Sequence, residues 1–96
     1  MRTKNEKIKA TVALFKIFSD ETRLRIIQLL IQDEHCVQDI YKQLHMSQSS
    51  ISHQLRLLRE KNLVKTRRDG KHIIYSLKDE HIKKIFEMGL MHATEC

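Results

Sequence analysis

Proline does not occur anywhere in this sequence, and glycine occurs only twice, at Gly70 and Gly89. These residue types are the strongest breakers of regular structure, so their scarcity favours helices joined by short turns. A chain of 96 residues forms one domain with a modest core, to which association with a second copy would add stability. We therefore expect a single, mainly helical domain over residues 1–96.

Apolar residues recur at helical spacing in five segments, and the period changes to a β-type pattern once. The spacing predicts helices over residues 4–18, 21–31, 37–45, 48–60 and 79–93, with a polar break at 33–35. Asp69-Gly70 separates two β-prone runs, which predicts a hairpin over 64–77 because its turn requires positive φ. Two helices joined by a tight turn and followed by this hairpin predict a winged helix-turn-helix.

The positive charge is concentrated in one part of the chain. Residues 48–77 carry seven basic and two acidic side chains, a net charge of +5 out of +6 for the whole chain. A local basic excess is typical of a surface that binds a polyanion, although an ordinary solvated surface can have the same composition.

The leading face of the helix over 48–60 carries small or flexible hydrogen-bonding side chains, which suit the major groove of DNA. The predicted base-reading residues are Gln48, Ser49, Ser52, His53 and Gln54. The predicted contacts to phosphates or the minor groove come from Arg56 and from the hairpin residues Arg67, Arg68 and Lys71. The alternative is a helical hairpin with a solvated polar face, and the charged β-hairpin that follows argues against it.

The last predicted helix carries four metal-ligand side chains, in the patterns Asp79-x-His81 and His92-x-x-Glu95. Eleven helical steps return His92 to the face of His81, but at ~1.5 Å per residue the two lie ~16 Å apart along the axis. Because zinc bonds are only ~2 Å long, one helix cannot close this site. Two antiparallel copies related by a two-fold axis can, and the pattern therefore predicts two shared sites in a homodimer.

Two imidazoles and two carboxylates suit tetrahedral Zn(II), with Co(II) as a close mimic. Asp79 and His81 would diverge within a regular helix, but they can converge if Asp79 is the N-cap residue. Protein ligands would fill all four coordination positions and leave none for an activated water. We therefore expect neither an enzyme nor a small-molecule substrate. The alternative is that these four side chains are simply solvated.

Four stretches of the sequence resemble the ArsR/SmtB family: residues 20–26 (DETRLRI), 36–40 (CVQDI), 47–55 (SQSSISHQL) and 74–77 (IYSL). The resemblance extends over residues 8–95, and it implies a dimeric winged-helix repressor that releases operator DNA when it binds metal. Within the family, Asp79, His81, His92 and Glu95 match the ligands of the zinc-sensing type.

The same resemblance implies a second metal position, for which Cys36 and Asp39 match two of the ligands. The family completes that position with Cys or His from the N-terminal arm, and residues 1–20 contain neither. Gln38 also stands where arsenic sensors have a second thiol. We therefore interpret Cys36 and Asp39 as a vestigial metal site and Cys36 as a structural thiol.

These observations favour a homodimeric, zinc-responsive repressor, joined through its first and last helices, whose apo form binds double-stranded operator DNA. One alternative is the same fold sensing a thiol-reactive or soft-metal signal through Cys36 or Cys96. Another is an unregulated DNA-binding architectural protein. The sequence has no apolar run of signal-peptide or transmembrane type, so we expect a cytoplasmic protein with reduced cysteines and no membrane partner.

Overall fold

The computed structural model describes residues 3–95. Within them, five helices and three strands follow in the order α1 (Lys4–Phe18), α2 (Glu21–Gln32), β1 (His35–Cys36), α3 (Val37–Leu44), α4 (Gln48–Glu60), β2 (Val64–Asp69), β3 (His72–Leu77) and α5 (Glu80–Thr94). The predicted fold class, mainly helical with a β-hairpin wing, is confirmed, and each helix lies within one residue of its predicted bounds. No helix in this range is long and apolar enough to cross a membrane.

The turn between α3 and α4 is short because a C-cap residue ends α3 and an N-cap residue begins α4 within three positions. His45 adopts a left-handed conformation with φ 55° and ends α3. Ser47 is the N-cap of α4, where its hydroxyl accepts a hydrogen bond from the Ser50 backbone N–H at 3.1 Å. The two helices are thereby held as the helix-turn-helix unit that the sequence predicts.

The three strands form one antiparallel sheet in the order β1-β3-β2. The hairpin turns at Gly70, which has φ 62°, and Asp69 pairs with His72 across it. The first strand was not predicted, since two residues show no alternation and the expected polar break covered His35. In the structure His35 pairs with Tyr75, 40 residues further along the chain, and Cys36 pairs with Ile74, 38 residues further along.

One apolar core anchors the helix-turn-helix. Ile51, Leu55 and Leu58 recur at steps of four and three along α4 and are fully buried. The core consists of Ile17, Ile26, Ile27, Leu30, Ile40, Ile51, Leu55, Leu58, Leu63, Val64 and Ile82. Since its inner face is fixed in this way, α4 presents its opposite, polar face outward.

Two helices leave large apolar side chains outside this core. Ile8, Val12 and Phe15 of α1 are exposed, as are Met88, Leu90 and Met91 of α5. Phe15 and residues of α5 also line a shared apolar cavity of about 360 Å³. Contiguous exposed apolar surface of this kind marks an interaction site more often than a solvated face.

Candidate nucleic-acid interface and metal ligands

The outer face of α4 carries most of the predicted base-reading residues at the surface. Gln48, Ser49 and His53 are exposed and Ser52 is half-buried, while Arg56 is exposed further along the helix. The N-terminal end of the helix, where Gln48 and Ser49 lie, is the end from which recognition helices contact base edges. The geometry therefore leaves these side chains free to meet a groove.

Gln54 has a different environment from the other predicted base readers. It is half-buried, and its Oε1 accepts a hydrogen bond from Arg23 of α2 at 3.3 Å. Arg23 also donates from Nε to the carbonyl oxygen of Ile17 at 2.8 Å, so it ties the end of α1 to α4. This role of Arg23 was not predicted, because the contact joins residues 31 positions apart.

The wing carries exposed basic side chains, one of which is paired with a carboxylate. Lys71 and Arg68 are exposed near the turn. Arg67 is instead paired with Glu34, which precedes β1, and its Nε donates to Glu34 Oε2 at 3.3 Å while a second nitrogen bonds Oε1. Chiefly through these hydrogen bonds, Arg67 holds the pKa of the Glu34 carboxyl below its usual range, and Glu34 raises the pKa of Arg67. A phosphate would have to compete with Glu34 for this guanidinium.

Asp79 and His81 lie together at the start of α5. Asp79 is the N-cap residue, a position at which it can converge with His81, and its Oδ1 accepts hydrogen bonds from the backbone N–H groups of His81 at 3.0 Å and Ile82 at 3.3 Å. The same oxygen lies 3.5 Å from His81 Nδ1. The cap does not use Oδ2, and the side chain of His81 is 84% exposed.

His92 and Glu95 lie at the other end of the same helix. Both are exposed, and Glu95 is the C-cap residue, whose backbone N–H donates to the Met91 carbonyl oxygen at 3.0 Å. Along α5 the two ends are ~16 Å apart. Across residues 3–95, no three His, Cys, Asp or Glu side chains come together as metal ligands. Within a single chain the four predicted ligands therefore lie at the two ends of α5 and do not meet.

The predicted vestigial site contains one half-buried thiol and a neighbouring carboxylate. Cys36 is the N-cap residue of α3 and lines a cavity of about 400 Å³ between α3, α4 and the wing. The Oδ2 of Asp39 lies 3.9 Å from Nδ1 of His35, a residue that was not predicted to be part of this site. Cys96, the other predicted thiol, lies outside the described residues.

A helix-turn-helix with an exposed polar face on its second helix, followed directly by a basic hairpin, defines a winged-helix DNA-binding protein. The family model described as "Bacterial regulatory protein, arsR family" matches residues 20–66. The chain belongs to this family. Both the family and the fold are those of DNA-binding transcriptional regulators, which confirms that the chain is not an enzyme.

Relatives with known names span most of the chain. It is 40% identical over 83 residues to a homologue of the cadmium resistance transcriptional regulatory protein CadC from Staphylococcus aureus, covering 85% of this chain and 69% of that one. It is also 40% identical over 81 residues to a homologue of the transcriptional repressor SmtB from Synechocystis sp., covering 84% and 61% respectively.

A similar solved structure is the homodimeric winged helix-turn-helix DNA-binding domain from Mycobacterium bovis, determined by solution NMR. It matches with a TM-score of 0.88 and 26% sequence identity, covering 97% of this chain and 86% of that one.

Proposed function

We propose that two copies of this chain form a repressor that binds double-stranded operator DNA and releases it when Zn(II) binds between their α5 helices. The observation that carries the proposal is the position of the ligands on α5. Asp79 and His81 are oriented together at one end, and His92 and Glu95 lie exposed at the other. An antiparallel second α5 brings the two pairs together twice, as a two-fold axis requires.

The donor atoms favour zinc over the softer metals. Two imidazole nitrogens and two carboxylate oxygens match tetrahedral Zn(II), and Co(II) would occupy the same site. Cadmium and arsenic prefer thiolates, and the four proposed ligands on α5 include none. The names of the relatives, a repressor and a cadmium-resistance regulator, support a metal-responsive repressor as the class.

The exposed apolar surfaces of α1 and α5 support a dimer joined through these helices. They include Ile8, Val12, Phe15 and Met88, which the protomer's own core does not cover. The Mycobacterium bovis neighbour is homodimeric. A dimer would present two α4 helices to half-sites about one helical turn apart, ~34 Å. Zinc between the α5 helices would change the angle between protomers and misplace both α4 helices.

The direct test of this function is a titration of the purified protein with an operator duplex selected in vitro by the apo form. We expect tight binding in the presence of a chelator and weakened binding at saturating Zn(II). Zinc should bind with a stoichiometry of one ion per chain, because two sites are shared by two chains. Stoichiometric zinc binding with no change in operator affinity would contradict the proposal.

Substitution of the exposed residues of α4 should change which base pairs are preferred. We expect Gln48→Ala or His53→Ala to cost ~1–3 kcal/mol on the selected operator and less on random DNA, because a lost base contact affects only the preferred sequence. Gln28→Ala, an exposed glutamine on α2, is the matched control and should have no effect. Equal losses on operator and random DNA would exclude base reading by Gln48 and His53.

The Glu34–Arg67 pair should restrain the wing. We expect Glu34→Gln to strengthen binding to DNA of any sequence by roughly two- to tenfold at low salt, because it frees Arg67 and removes a nearby negative charge. Since the pKa of Glu34 is lowered from its ordinary 4.5, the pair persists at neutral pH and is lost only as pH falls below that value.

Glu21→Gln is the control for this substitution, since Glu21 forms a comparable exposed pair with Arg25 on α2, at 3.0 Å. If both variants raise DNA affinity equally, the effect comes from overall charge, and the proposal that the Glu34–Arg67 pair restrains the wing is wrong.

A further inference from the structure

Four residues of α5 and its C-cap residue form one strip along the helix. The steps between them alternate between four and three residues, which is the spacing of a coiled-coil seam. The strip consists of His81, Ile85, Met88, His92 and Glu95. The strip therefore has proposed zinc ligands at both ends, His81 at one and His92 and Glu95 at the other, and its middle is apolar. The fourth proposed ligand, Asp79, lies two residues before His81.

The protomer covers the apolar middle of this strip only in part, since Ile85 is half-buried and Met88 is exposed. Met88 is 66% exposed, the largest exposed fraction among the large apolar side chains of residues 3–95. Ile85 and Met88 line an open cavity of about 580 Å³, together with Phe15, Gly89 and His92. A Cβ placed on Gly89 would meet nothing within 4 Å, so there is room beside the strip for side chains of another helix.

The ligand pairing, which rests on the proposed function, fixes how a second α5 would lie along the first. In an antiparallel pair, each step toward the C-terminus on one helix is a step toward the N-terminus on the other. If His81 faces His92 of the second copy, Ile85 must then face Met88 of the second copy, and Met88 must face Ile85. The two-fold axis passes between residues 86 and 87.

We propose that Ile85 and Met88 form two apolar layers across this axis and set the axial register that brings the zinc ligands together. A slip of one residue would move the facing ligands by ~1.5 Å and rotate them by ~100°. Zinc–ligand distances vary by only ~0.2 Å, so the metal tolerates no such slip. The unbranched Met88 side chain suits an irregular space such as the one beside Gly89. The layers hold the register before metal arrives.

Dimerisation of the apo protein tests this proposal without zinc or DNA. In sedimentation equilibrium with a chelator present, we expect Met88→Ala to raise the dimer dissociation constant by ~10-fold or more, because each dimer loses two buried contacts. Met88→Leu should stay near wild type. Gln43→Ala is the control, since Gln43 is exposed on α3, outside the apolar surfaces of α1 and α5. Circular dichroism should show unchanged helix content in all three variants.

A cross-linking experiment tests the register itself. In a background with Cys36→Ser and Cys96→Ser, chains carrying Ile85→Cys are mixed with chains carrying Met88→Cys and oxidised. We expect disulfides to form in the mixed dimer in preference to either homodimer, where the thiols are offset by three residues, ~4.5 Å. Preferential cross-linking within one homodimer would overturn the register, and an unchanged dissociation constant for Met88→Ala would overturn the apolar layers.

These outcomes are separable from those of the zinc-release hypothesis. If the mixed dimer cross-links but zinc does not release the operator, the proposed register of Ile85 and Met88 is supported and the proposed function is wrong. If zinc acts through His81 but the cross-link forms in another register, only the layers fail.

Discussion

The His81→Ala dimer should bind its operator equally well with and without zinc, whereas zinc should weaken the wild-type complex by roughly 5–150-fold, the usual range of coupling between two sites. His81 lies next to Asp79 at the start of α5, with its Nδ1 3.5 Å from Asp79 Oδ1. Its removal leaves each site with one imidazole and two carboxylates, a set that no longer joins the two α5 helices firmly.

The measurement is operator binding by fluorescence anisotropy, in a chelator and at saturating Zn(II). Cys36→Ser is the control and should retain full zinc-driven release, because Cys36 is not one of the four proposed ligands and lines a cavity with α3, α4 and the wing. If His81→Ala still releases DNA with zinc, the site on α5 is not the sensor. If Cys36→Ser abolishes release, the sensory role belongs to the thiol.

Reciprocity gives the same experiment a second readout. Because the effect is a coupling free energy, operator DNA must lower the affinity for zinc by the factor by which zinc lowers the affinity for DNA. Competition with a chelating dye, with and without the operator duplex, measures that factor. Unequal factors in the two directions would mean that the preparation contains a further equilibrium, such as dissociation of the dimer.

The second large effect concerns salt. If the dimer neutralises 6–10 phosphates, operator affinity should fall ~10³–10⁵-fold between 50 and 200 mM salt, with log K falling by about 0.9 per phosphate. Exposed residues of α4 and the wing supply the charge, including Arg56, Arg68 and Lys71. The slope should be the same for operator and random DNA, since phosphate contacts do not depend on sequence.

Lys71→Ala should lower this slope by ~1.8, because each of the two chains loses one phosphate contact. Lys9→Ala, an exposed lysine on α1, is the control and should leave the slope unchanged. We expect Arg67→Ala to lower it less than Lys71→Ala does, since Glu34 already holds Arg67. A slope that is insensitive to Lys71 would remove the wing from the interface.

Local features of the chain could be predicted from sequence because their causes lie within a few residues. Ser47 and Asp79 cap helices through hydrogen bonds to backbone groups two or three residues away. Gly70 turns the hairpin through its own positive φ. The inner face of α4 follows from the spacing of its apolar residues.

Features that join distant segments could not be predicted in this way. Three contacts of this kind depend on the assembled fold. They are the pairing of His35 with Tyr75, the hydrogen bond from Arg23 to Gln54, and the ion pair of Glu34 with Arg67. The last two changed the interpretation of predicted DNA-binding residues. For the metal ligands, the sequence predicts the pairs on α5, but their meeting depends on a second chain and stays a prediction.

The N-cap of α5 has a consequence for the thermodynamics of the proposed sensor. Asp79 is held by two backbone hydrogen bonds, so the rotational entropy of this ligand is lost when the protein folds and not when metal arrives. The Asp79 side chain then both binds the zinc ion and caps α5, so fraying of the first turn of α5 would weaken zinc binding. Asp79→Asn, which can still cap the helix, would separate the two contributions, whereas Asp79→Ala would remove both at once.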